Sequence, residues 1–151
     1  MDIQGVTVKE LERREDKRGW LVETWRCDQP PEGYIGPIMS YVSFTNKGTT
    51  RGPHEHAHQT DMFVFIGKFR LVLWDARPNS PTFMNKTDIE AGGDKTVMVV
   101  VPPGVVHAYK ALEDGLVLNM PDKLYAGWFK KDTVDEIRHE ANPESPYKME
   151  K

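Results

Sequence analysis

The sequence predicts an all-β fold, a sandwich or a closed barrel, and three observations carry that expectation. Glycine (12) and proline (11) punctuate the 151 residues at short intervals. The runs between them are short and rich in β-branched and aromatic residues, which fit a pleated, half-buried surface. Only one late stretch carries helix signals. Many short strands joined by Gly/Pro turns leave few unpaired edges when they close on themselves or stack as two sheets.

The strands are expected at residues 5–11, 20–26, 37–45, 61–66, 68–74, 95–101, 107–112 and 116–120. Phe63 and Phe65 alternate with Val64 and Ile66, so the 61–66 strand reads as buried on both faces. Gly67 is expected to turn it back into 68–74 as a hairpin. Trp20, Trp25, Phe63, Phe65 and Trp74 read as core, and Asp75 and Arg77 as the hold on a hairpin end. Asp132 caps a short helix through Arg138, with Asp135 and Glu136 in its first turn. The tail, 140–151, has two prolines and many charges and is expected to wrap the surface or fray. With no repeat or linker, residues 1–151 read as one domain.

Charge and composition narrow the function classes. The net charge is −3 at a pI near 6.0, which gives no general attraction to nucleic acid or anionic membrane. Residues 97–103 form the longest apolar run, far short of the ~20 residues of a membrane span. Cys27 is the only cysteine, so neither an internal disulfide nor a cysteine zinc cluster is available. Met1 leads straight into polar sequence. These features predict a soluble, cytoplasmic protein.

The chemistry-bearing segment is Arg51-Gly52-Pro53-His54-Glu55-His56-Ala57-His58. A strand period of two turns His54, His56 and His58 to one face. A fourth histidine, His107, follows the tight turn Pro102-Pro103-Gly104. The His54-Glu55-His56 string and the Pro102-Pro103-Gly104-Val105-Val106-His107 string, in that order, resemble the two motifs of the cupins. That resemblance implies a cupin-type double-stranded β-helix, or jelly-roll barrel, here with the short C-terminal helix. It also implies a divalent metal as an alternative to a metal-free site. The ligands would be His54, His56 and His107, since imidazole nitrogens suit Zn, Fe, Ni or Mn. The usual glutamate ligand falls on Thr60. Asp61 is one residue off, and on a strand that offset turns a side chain to the other face.

A narrower resemblance covers residues 3 to about 125. Asp16-Lys17-Arg18-Gly19 with Glu23, the stretch from Ser43 to His54, the stretch from Gly67 to Thr82, and the proline-glycine-histidine string are similar to four motifs of the dTDP-4-dehydrorhamnose 3,5-epimerases. This implies an isomerase or epimerase on a nucleotide-linked 4-keto-6-deoxy sugar. A base removes a proton beside the ketone, and the enolate is reprotonated on the other face. Histidine is the usual base near neutral pH. By resemblance His54 is that base. Arg18 and Arg51 contact the substrate, Glu23 the nucleotide, and His107 lines the pocket.

The family's catalytic lysine falls on Thr60 or Asp61, and its catalytic tyrosine on Asn119. Tyr41, Tyr109 and Tyr125 are the candidate replacements, and Tyr41 and Asn119 count with the substrate contacts. His56 and His58 are additions to the family pattern that offer a different acid or base. The Arg51-to-His56 string also resembles the dTDP-4-keto-6-deoxyglucose 3,4-ketoisomerases. Two further classes remain open: a metal-dependent cupin acting through His54, His56, Asp61 and His107, and a non-catalytic sugar-nucleotide-binding module. A homodimer is the expected assembly, with a nucleotide sugar as partner and neither nucleic acid nor membrane.

Overall fold

The computed structural model describes residues 3–149, so Met1 and Asp2, and the last two residues of the expected surface tail, Glu150 and Lys151, lie outside the described residues. In chain order the strands are β1 (Thr7–Leu11), β2 (Arg13–Asp16), β3 (Gly19–Val22), β4 (Tyr41–Thr45), β5 (Thr50–Glu55) and β6 (Asp61–Ile66). They continue with β7 (Lys68–Asp75), β8 (Lys86–Gly92), β9 (Thr96–Val101), β10 (Val105–Ala111), β11 (Gly115–Asn119) and β12 (Ile137–Arg138). Two five-stranded sheets form, in the orders β1-β9-β6-β11-β4 and β12-β5-β10-β7-β8, with β2 and β3 as a separate hairpin. All pairings are antiparallel.

The inner faces of the two sheets share one core. Phe63, Phe65, Val99, Val101 and Val117 from the first sheet meet Phe69, Leu71, Leu73, Val105 and Tyr109 from the second. Phe65, Phe69, Leu71 and Leu73 are fully buried, each contributing about 1.5–3 kcal/mol by burial. The outer faces are covered too. Tyr34 and Trp25 pack on Met62, Val64, Met98 and Val100. Tyr147 and Met149 of the tail pack on Val72, Trp74, Val106 and Ala108. Burial on both faces is why these strands read as continuous apolar runs rather than alternating ones. Trp20 departs from the core expectation: it is 43 % exposed on the β2–β3 hairpin, under the guanidinium of Arg13.

Two expectations of local structure are corrected. β6 and β7 do not form a hairpin, because they belong to different sheets. Gly67, at φ +113°, is the corner where the chain crosses, and Lys68 goes on to pair with Gly92 of β8. One residue is too short a connection for an antiparallel turn. The helix expected over 132–138 is also absent; the only helical turn among the described residues is a 3-10 turn at Trp128–Lys130. The Asp135 carboxylate, expected in the first turn of that helix, instead accepts hydrogen bonds from the backbone N–H groups of Ala57 (2.9 Å) and His58 (2.8 Å). Ile137 and Arg138 then pair with Glu55 and His54 of β5. So short a helix is marginal alone, and the pairing offered by an open strand edge prevails.

One irregularity sets up the site. In the β5–β10 ladder His107 faces His54, but Tyr109 faces Arg51, so β5 carries one extra residue between them. Gly52, at φ +78°, occupies this bulge, and a Cβ there would lie 2.5 Å from the carbonyl oxygen of His107. On a regular strand residues 51 and 54 would face opposite ways. The bulge turns both towards the same cavity.

Candidate active site

A cavity of about 660 Å³ is lined by Tyr41, Arg51, His54, His56, Tyr109 and Glu136, among others. Its two walls come from the two sheets. β5 sends in Arg51 and His54, while β4 of the other sheet sends in Tyr41. His107, on β10, is 1 % exposed behind His54, with ring centroids 4.4 Å apart.

Backbone carbonyls fix two of the three imidazoles. Nδ1–H of His107 donates to the Val105 oxygen at 3.1 Å, so its Nε2 is a bare acceptor. Nδ1–H of His56 donates to the Asp135 oxygen. Both Nε2 atoms then converge on Oδ2 of Asp61, at 3.2 Å for His56 and 3.7 Å for His107. Burial holds His107 at a pKa of about 3, reinforced by the charge of His54, and keeps it neutral. Burial also lowers His54, and the negative Glu136 offsets only part of that effect. His56 goes the other way. Burial opposes its protonation, but the approach and charge of Asp61 and the Asp135 carbonyl outweigh it and raise the pKa. Burial pushes Asp61 up, and the contact and charge of His56 with the hydrogen bond from Asn119 more than reverse this, so it is held ionised below the usual carboxylate range.

A chain of polar contacts leads from this cluster to the opposite wall. Gln59 Nε2 donates to Asp61 Oδ1 at 2.9 Å. Asn119 Nδ2 donates to the same oxygen at 2.9 Å and to the Tyr41 hydroxyl oxygen at 2.8 Å. Arg51 is anchored on β4, with Nε on Thr45 Oγ1 at 3.0 Å and Nη2 on the Phe44 carbonyl at 3.1 Å.

The residues singled out in the sequence are only partly gathered here. His54, His56, Arg51 and Tyr41 line the cavity, and His107, Asp61 and Asn119 stand directly behind it. His58 is exposed, because β5 ends at Glu55 and the chain turns onto Asp135. Asp61 points at the histidines rather than away from them. It shares its face of β6 with Phe63 and Phe65, so the inward phase of the strand includes residue 61 and not 60. Arg18 and Glu23 do not line the cavity. Arg18 pairs with Asp16 on the exposed β2–β3 turn, and Glu23 lines a separate cleft with Arg14, Trp25 and Arg26. Two participants were not foreseen, Gln59 and Glu136. Oε1 of Glu136 lies 4.0 Å from His54 Nε2, in a stretch whose acidic residues read as the first turn of a helix.

The cluster also fits a divalent cation. One ring nitrogen from each of His54, His56 and His107 lies within 4.8 Å of the others. Asp61 Oδ2 and His107 Nε2 are buried with no hydrogen-bond partner among the described residues. Hard-to-satisfy acceptors facing one another, backed by carbonyls on the far ring nitrogens, suit a bound cation.

The family model described as dTDP-4-dehydrorhamnose 3,5-epimerase matches residues 1–134. The chain belongs to that family. Among its relatives is the probable low-salt glycan biosynthesis epimerase Agl13 of Haloferax volcanii, 35 % identical over 128 residues, 82 % of this chain and 81 % of the relative. The spore coat polysaccharide biosynthesis protein SpsL of Bacillus subtilis is 33 % identical over 112 residues, 73 % of this chain and 72 % of that one. Among solved structures, the dTDP-4-dehydrorhamnose 3,5-epimerase of Sulfolobus tokodaii superposes with a TM-score of 0.68 at 27 % identity, over 78 % of this chain and 70 % of that one. Membership makes this protein a sugar-nucleotide epimerase-type enzyme with the jelly-roll architecture expected of it. No helix among the described residues of this epimerase is long and apolar enough to cross a membrane.

Proposed function

We propose that the protein epimerises a nucleotide-linked 4-keto-6-deoxy sugar through an enolate, with His54 as the base. The observation that carries this reading is the state of His54. It opens onto the cavity, its neutral form is favoured by burial, and Glu136 stands 4.0 Å from Nε2 to stabilise the imidazolium that forms. Arg51 presents a cation beside it for the diphosphate. His56, paired with Asp61 and protonated more readily than a free imidazole, sets positive charge at the cavity wall in place of a lysine. We further propose a homodimer acting in the cytoplasm. β4 is an edge strand with Val42 and Phe44 exposed, and pairing there would cover it. Because Arg18 and Glu23 do not line the cavity of their own chain, a substrate role for them requires the second one.

The test is proton NMR of dTDP-4-keto-6-deoxyglucose in D₂O with the purified protein and a no-enzyme control. Loss of signal at C3, C5 or both is expected. His54→Ala should abolish the exchange while the nucleotide still binds. Unchanged exchange in that variant removes the base assignment, and a 3-keto product selects a ketoisomerase.

A second reading is favoured by the buried His107 Nε2, which has no hydrogen-bond partner among the described residues and faces Asp61 Oδ2 at 3.7 Å. In it His54, His56, Asp61 and His107 hold a divalent cation, which when bound acts as a Lewis acid on a substrate oxygen. Dialysis against Co²⁺, followed by metal analysis and the visible absorption spectrum, tests it. One equivalent retained by the wild type and lost in Asp61→Asn supports this reading, and no retained metal removes it.

A further inference from the structure

We infer that Tyr41 donates the proton to the enolate face turned away from His54, and that Asn119 is the residue positioning its hydroxyl. The inference rests on the enolate reading above and adds a second, opposite-side proton carrier to it.

Topology gives the first reason. His54 stands on β5 and Tyr41 on β4, and these strands belong to the two facing sheets. Both side chains line the same cavity. A ring held between them therefore has the imidazole on one side and the phenol on the other. Inversion at a carbon needs that disposition, because one group returning its own proton restores the starting configuration.

Hydrogen bonding gives the second. Asn119 sits directly opposite Tyr41 in the β11–β4 ladder. Its Nδ2 is 2.9 Å from Asp61 Oδ1 and 2.8 Å from Tyr41 Oη. A carboxylate oxygen only accepts, so the NH₂ end of the amide must face Asp61, and a flipped amide would set two oxygens against each other. The two amide hydrogens are thereby assigned, one to Asp61 and one to Tyr41. The Tyr41 oxygen accepts, which leaves its own O–H free of that contact to act as donor. The same amide N–H stabilises the phenolate that results from donation. Burial, with the charge of Asp61, keeps the phenol above its ordinary pKa despite the Asn119 contact, so it is protonated at neutral pH.

The other tyrosines are placed differently. Tyr109 is on β10, in the same sheet as His54, with its hydroxyl beside Ser43 Oγ at 3.5 Å. The Tyr34 hydroxyl donates to the Met120 carbonyl and is not part of the cavity wall. Tyr125, 53 % exposed, also lines the cavity, but from the segment following β11 and not from the sheet facing His54, and Asn119 donates to Tyr41 instead.

The step balances without a co-reactant. The carbon–hydrogen bond forms as the Tyr41 O–H bond breaks, the enolate electrons supply the new bond, and the ketone is restored. Tyr41 is left as a phenolate and His54 as an imidazolium. Tyr41 is 48 % exposed, so the phenolate is reprotonated from solvent as the imidazolium loses its proton.

The test follows dTDP-4-keto-6-deoxyglucose in D₂O, reading deuterium incorporation and inversion at the same carbon separately. Wild type should show both. Tyr41→Phe should incorporate deuterium within about threefold of the wild-type rate while inversion falls about 100-fold or more. Asn119→Ala should lower inversion about tenfold with KM and exchange retained, a split that a merely structural role would not produce. Inversion in Tyr41→Phe at the wild-type rate overturns the donor role, and so does equal loss of exchange and inversion in that variant. Equal loss of both in Asn119→Ala overturns the positioning role. A wild type that neither exchanges nor inverts this substrate removes the enolate reading itself, a result distinct from all of these.

Discussion

Nε2 of His54 lies 4.0 Å from Oε1 of Glu136, although the two belong to distant parts of the chain. Glu136 is held by its other oxygen, which accepts from Arg138 Nε at 2.7 Å. The carboxylate favours the imidazolium, so Glu136→Gln should lower kcat for exchange about tenfold, a small part of what a positioned base contributes. It should also move the acid limb of the kcat/KM profile to lower pH, because the charge that raises His54 is gone. An unmoved limb would show that the carboxylate does not act on His54.

The wild-type profile has its own expectation. Burial dominates at His54, opposed by Glu136, Glu140 and Asp61 and assisted by His56, with the neutral His107 ring alongside. The net shift is downward from 6.5, so the neutral, basic form persists below that pH. Rate measurements on the free enzyme should place the acid limb of kcat/KM under pH 6.5. A limb above 6.5 would assign it to another group.

Gly52 is the hinge of the β5 bulge. Gly52→Ala would combine a left-handed backbone, costing roughly 1–2 kcal/mol, with a contact 2.5 Å from the His107 carbonyl. A fall in the thermal midpoint of about 4–8 °C is expected in calorimetry. Activity should fall further than stability, since the same bulge aims both Arg51 and His54. A variant with wild-type stability and activity would show that the strand can be re-registered freely.

Asp75 is fully buried at the end of β7 and accepts from Arg77 Nε (2.7 Å), Arg77 Nη2 (2.9 Å), Ser80 Oγ (2.6 Å) and Thr82 Oγ1 (2.6 Å). Burial alone would raise its pKa, but these donors hold it far below the usual carboxylate value of 3.8. The unfolded chain therefore binds the proton more readily than the folded one. Its contribution is fully present above about pH 4 and is lost as pH falls through the folded pKa. Asp75→Asn should cost about 3 kcal/mol at neutral pH in denaturant unfolding, and the variant should show a shallower acid loss than wild type.

Much of the sheet framework was legible in the sequence because β6, β7, β9 and β10 are apolar on both faces. Strand β8 was not, since its exposed alternate positions, including Glu90, read as loop. β12 was hidden because its two residues pair only through tertiary contact with β5. In the site, the histidine spacing located His54 and His56, but period-two arithmetic could not reveal a bulge that breaks it. Nor could it place Asp61, whose phase is fixed by the core side of Phe63 and Phe65. Arg51 and His54 were joined only through their motif. Glu136 carried no local signal at all, because what matters is where the chain returns after the last sheet strand.

The order of synthesis gives that return a consequence. Every sheet strand except β12 has been made by Asn119, so the container precedes its furnishing. Asp135, which steadies His56, and Glu136, which faces His54, are translated only afterwards. The base proposed at His54 thus depends on a segment made after the strands of the barrel. Trimming the C-terminal segment would remove both groups and leave β5 uncovered at its edge.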